Sequence, residues 1–135
     1  MNKQTIIENI EKEISRRTDQ AVALLGDTTR PKNGKAEWAK DLAMTLQKNL
    51  GKIQRNLEMI PMLESLKTSV EHDQITEATG DFDVNWLIAV SQQDLTTITC
   101  EIISQRRTSS ETSALMARIE ARSDVILFFE QMAID

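Results

Sequence analysis

The residues able to do chemistry in this chain are few: one histidine, one cysteine and no tyrosine. His72 stands in Glu71-His72-Asp73, with a carboxylate on either side that would orient it as a general base. The surrounding acidic, polar stretch reads more simply as a loop carrying a solvated imidazole. Cys100 would become a nucleophile only if the fold carried His72 to it, and nothing in the spacing requires that.

Metal chemistry has no better footing. A di-iron bundle needs Glu-x-x-His on two helices, which a single histidine cannot supply. Zinc needs several Cys or His ligands. Asp81-x-Asp83-x-Asn85 resembles the opening of a calcium loop. Trp86 then stands where the bend needs glycine, and Gln92 where a bidentate glutamate is needed. Asp83 reads instead as a helix N-cap. Gly34-Lys35 is followed by Ala36, so no Walker-type phosphate loop forms. Arg30, Lys32 and Lys35 could hold an anion at the start of a helix, or simply solvate a loop. The expectation is a protein that is not an enzyme, with no catalytic residue, metal or cofactor.

Charge is distributed unevenly around a net −5. From Arg30 to Arg55, seven basic residues face two acids, a net +5; from Glu58 to Asp83, seven acids face one lysine, a net −6. Lys48, Lys52 and Arg55 lie at i, i+4 and i+7, so they share one helical face that could track phosphates. They make a nucleic-acid-associated protein, using residues 30–55, the alternative function. The overall acidity argues against it. Arg106 and Arg107 fall near a helix end, where cations suit the macrodipole without any ligand.

The elements that must position these groups are legible from periodicity. Apolar residues recur every three or four positions, as in amphipathic helices packed on one another. Four glycines and two prolines in 135 residues leave few breaks. The first helix spans Lys3 to Leu25, with Ile7, Ile10, Ile14, Ala21 and Leu24 on one stripe that Arg17 interrupts; Gly26 ends it. A loop follows to Gly34. The second helix starts near Lys35, with Trp38, Leu42, Leu46, Leu50, Ile53, Leu57 and Ile60 as its stripe, and kinks or restarts at Pro61. Residues 71–80 read as a loop. The third helix begins after Asp83, although Thr96-Thr97-Ile98-Thr99 leaves residues 95–104 open between helix and strand. The fourth follows Thr108, which has capping-box spacing to Glu111, with Leu115, Ile119, Ile126 and Phe129 as its stripe.

The predicted fold is therefore all-α: an antiparallel four-helix bundle, its second helix long and kinked at Pro61, with residues 1–135 forming one helical domain. No apolar run approaches the roughly 20 residues needed to span a bilayer, so no membrane association is expected. With one cysteine and no apolar leader at the N-terminus, the expected location is the cytoplasm.

Two apolar runs exceed what one stripe can bury: Trp86-Leu87-Ile88-Ala89-Val90 and Val125-Ile126-Leu127-Phe128-Phe129. Either these helices are central in the bundle or they carry a second contact surface. The second reading makes the chain a protein–protein interaction module, a small adapter, assembly factor or inhibitor. Its partner is another protein or a second copy in a homodimer. The expected interface is Trp86, Val90, Val125, Phe128 and Met132, with Phe128 at its centre.

Overall fold

The computed structural model describes residues 1–26, 32–73 and 81–104, and 109–134 as helical backbone with side chains from Ala114 onward. It holds four helices: α1 (Lys3–Leu25), α2 (Lys35–Glu71), α3 (Val84–Ile103) and α4 (Ser109–Ile134). No strand occurs among the described residues beyond one isolated bridge, Asn2 to Asp81. None of these helices is long and apolar enough to cross a membrane.

Local chemistry accounts for the boundaries. The Asn2 side chain caps α1 by accepting from the amides of Gln4 at 2.8 Å and Thr5 at 3.3 Å. Gly26 closes α1 at φ +71°, a conformation costly for any residue with a Cβ. Asp83 caps α3 by accepting from the Asn85 amide at 3.0 Å, as its position predicts. The threonine cluster is helical. Thr96, Thr97 and Thr99 turn their hydroxyls back to the carbonyls of Gln92, Gln93 and Leu95 at 2.7–3.0 Å, so the β-branched side chains satisfy themselves within the helix. α2 continues through Pro61 as one element rather than restarting. Pro61 lacks the amide that would bond the Leu57 carbonyl, and both residues lie on the exposed side of the helix. The expected capping box at Thr108 and Glu111 lies outside the described residues, as do residues 27–31 and 74–80 of the two expected loops.

The principal packed pairs are α1 with α2, α2 with α4, and α3 with α4. Along α1 and α2 the partners run in opposite senses. Lys3 reaches the Glu71 carbonyl, Lys67 pairs with Glu11, Arg17 donates to Asn56, and Asn49 donates to the Leu24 carbonyl. One apolar cluster draws on all four helices: Ile6, Ile7 and Ile10 of α1, Met59, Leu63 and Val70 of α2, Val84 and Leu87 of α3, and Ala121, Val125, Phe129 and Met132 of α4, with Phe82 from the α2–α3 link.

Candidate functional site

Arg17, the one break in the α1 stripe, is where the core turns polar. Its guanidinium accommodates three partners: Glu13 on α1 at 3.0 Å, Asn56 on α2 at 3.0 Å and Asp124 on α4 at 3.3 Å. Asp124 also receives two hydrogen bonds from Arg55, both at 2.7 Å, and Arg55 reaches Glu120 at 3.2 Å. Glu13 and Asn56 are buried. The result is an ionic belt that ties three helices together. Burial by itself would raise the Glu13 carboxyl, but hydrogen bonds from Arg16 and Arg17 outweigh it and hold the group below the ordinary glutamate value. The bonds to Asp124 hold the Arg55 guanidinium charged more firmly still, against the opposing effect of burial.

A second feature opens on the other side of α2. α2 packs on α1 and α4, and α3 packs on α4, which leaves a cleft of about 440 Å³ between α2 and α3. Pro61, Met62, Ser65 and Leu66 of α2 form one wall, Val90 and Ser91 of α3 the other, and Val125 of α4 lies at the base. One end is polar: Arg122 donates to Asp94 at 2.8 Å and lies 3.9 Å from Glu58. Arg122 is buried, whereas the side chains of Asp94 and Glu58 are 48% and 39% exposed, so both carboxylates keep lone pairs open to an incoming cation. An apolar trough ending in polar groups is the usual form of a groove that binds a helix or an amphipathic ligand.

The expected interface residues divide. Trp86 is 47% exposed, with its ring edge-to-face against Phe82 at 5.8 Å, and Val90 lies one turn further along, in the groove wall. Phe128 is half-buried, its ring against that of Phe129 at 5.1 Å. Val125 and Met132 are not surface residues. They are 2% and 5% exposed and belong to the core, which corrects their assignment to an outward-facing interface; Val125 meets the groove only at its base. The cause is a rotation of the α4 stripe. Ala117, Ala121, Val125, Phe129 and Met132 face inward, while Ile119 and Ile126 are half-buried at its edge. The small Ala117 and Ala121 side chains let neighbouring helices approach closely, and counting only large apolar residues hides them. Leu127, 52% exposed, is the member of the run that points outward.

The basic stripe is also divided. Lys48 and Lys52 are exposed, but Arg55 is engaged by Asp124 and Glu120 and does not present its guanidinium to a phosphate. Arg30, Arg106 and Arg107 lie outside the described residues. His72 ends α2, exposed, with Nδ1 3.0 Å from the Thr68 carbonyl. Cys100 is exposed near the far end of α3, roughly 24 Å along that helix from its start beside the α2 terminus, so the two form no pair. Neither the belt nor the groove follows from the sequence pattern. Arg17 within an apolar stripe was the visible signal for the belt; the groove depends on how three helices splay and has no local signature.

No protein-family model matches this chain, no curated protein matches its sequence, and no solved structure matches its fold.

Proposed function

We propose that this protein is a helical interaction module that receives an amphipathic helix of a partner protein in the groove between α2 and α3. The groove itself carries the reading. Pro61, Met62, Leu66, Val90 and Val125 give it an apolar floor and sides, interrupted by Ser65 and Ser91, and its polar end offers two accessible carboxylates beside a fixed guanidinium. A partner helix with apolar residues at i, i+3 or i+4 and i+7 fills the trough, and a basic residue at one end meets Glu58 and Asp94. Trp86, half-exposed one turn before Val90, extends the same side of α3 as a further anchor.

Val90→Lys tests this, because it places a charge in the wall without touching the core. A partner captured from the host by the parent protein and then purified should bind the parent with a Kd that the substitution weakens by roughly tenfold or more. Equal binding by both proteins would remove the groove from the interaction. Tight, salt-dependent association of the parent with nucleic acid, abolished by changing Lys48 and Lys52 to Gln, would favour the alternative function.

A further inference from the structure

A different face of α2 points to self-association. Lys40, Ala43, Gln47, Leu50, Gln54, Leu57, Pro61 and Glu64 recur at alternating spacings of three and four, the 3.5-residue period with which one helix meets another along its length. All are exposed except Gln54, which is half-buried, and Leu50 and Leu57 each leave 50% of their surface uncovered. From Ala43 to Pro61 this seam bears no charge, in a chain whose residues are 27% charged. Neighbouring charges turn elsewhere: Glu58 toward Arg118 and Arg122 at the groove, Arg55 toward Asp124. The seam ends in opposite signs, Lys40 at one end and Glu64 at the other, and neither has an ion-pair partner among the described residues.

We infer that this seam is the contact by which two copies of the chain pair, α2 against α2 in antiparallel sense. A two-fold axis near Lys52 sets Leu50 against Gln54 of the second copy, Gln47 against Leu57, Ala43 against Pro61 and Lys40 against Glu64. The stripe is thus complementary to itself, as a two-fold interface requires. The antiparallel sense follows from charge: a parallel pair would set lysine on lysine at one end and glutamate on glutamate at the other. The glutamines border the leucines and supply amide donors and acceptors, so the seam stays compatible with water in the separate chain. Pro61 borders both surfaces, but Leu50 and Leu57 line only the seam, so a substitution at Leu50 tests the pairing without altering the groove.

Sedimentation equilibrium on the full chain and four variants tests the pairing. The parent should show a reversible monomer–dimer equilibrium at roughly tens of micromolar. Leu50→Lys should raise the dimer Kd about tenfold or more while keeping its helical circular dichroism, since the side chain faces outward. Lys40→Glu or Glu64→Lys alone should weaken the dimer several-fold at low salt, and the double exchange should restore it to near the parent value, because each pair is re-formed with its signs swapped. A monomeric parent at those concentrations, a Leu50→Lys protein that dimerises like the parent, or single exchanges that the double one does not rescue would each overturn the pairing. Should Leu50→Lys lose its helicity, the charge exchange at the exposed ends still decides. The loss of partner binding expected of Val90→Lys is a separate readout, since Val90 lies in the groove and outside the seam.

Discussion

The two halves of α2 obey the same apolar period and meet different fates. From Ile53 to Val70 the helix buries Ile53, Asn56, Met59, Leu63 and Val70. From Lys35 to Lys52 it buries no residue: Trp38, Leu42 and Leu46 are half-covered, and Met44 and Leu50 are exposed. In the amino-terminal half the Trp38 indole Nε1 is buried and meets no hydrogen-bond partner among the described residues. The difference is one of neighbours. The carboxy-terminal half is enclosed by α1 and α4, with α3 closing the cluster beyond; the amino-terminal half runs on past the end of α1. Periodicity reports that a helix has a greasy side, and only the assembled fold reports how much of that side is covered.

The contrast is broken most directly by truncating leucines in each half. Leu63→Ala removes a side chain with 0% exposure and should cost about 2–5 kcal/mol, whereas Leu46→Ala, half-covered at the start, should cost less than about 1.5 kcal/mol. Urea denaturation of the two proteins gives the comparison. Equal losses would mean that the amino-terminal half is as well buried as the other.

At the border between the halves, the belt sets a smaller and pH-dependent effect. Glu13 has a folded-state pKa held below its ordinary value of 4.5, so between those two values the unfolded chain binds the extra proton. The stabilisation is complete above 4.5 and is lost as pH falls through the folded value. Glu13→Gln should lower stability at neutral pH by about 1–2 kcal/mol, discounting the half-exposed Arg16 partner, and should flatten this part of the stability–pH curve. Denaturation midpoints of both proteins from neutral pH to below 4 read it out; an unchanged acid slope would remove Glu13 as its source.

The finest probe is Gly51. It sits inside α2 without a positive φ, and a Cβ added there would meet nothing within 4 Å. Gly51→Ala should therefore stabilise the protein by about 0.5–1 kcal/mol through helix propensity and lost unfolded-state freedom. Thermal unfolding would show a small rise in Tm. A fall would mean that something covers this part of the helix.

Much of the fold was legible because its signals are local. The end of α1 follows from Gly26, the start of α3 from Asp83, and the four-helix class from spacing alone. What was not legible depends on partners distant in the chain. Arg17 announced itself as an interruption, yet nothing marks Asn56 and Asp124 as its acceptors until three helices come together. Phasing the α4 stripe on Ile119 and Ile126 puts Val125 and Met132 at the surface, whereas the fold buries both. Two alanines, silent in a count of large side chains, set the true phase. Helical angle alone groups Arg55 with Lys48 and Lys52, and the carboxylate that claims it comes from another helix.

Apolar ridges tolerate sliding: displace one helix by a turn along another and leucine still finds isoleucine. The belt does not permit this. Shifting α1 by one turn, about 5.4 Å, would carry Arg17 away from both Asn56 and Asp124 and leave a largely buried cation without an acceptor on a neighbouring helix. Its main consequence is thus alignment rather than strength: among the several ways in which α1, α2 and α4 could be stacked, it singles out one, much as a single polar position fixes the stagger of a coiled coil.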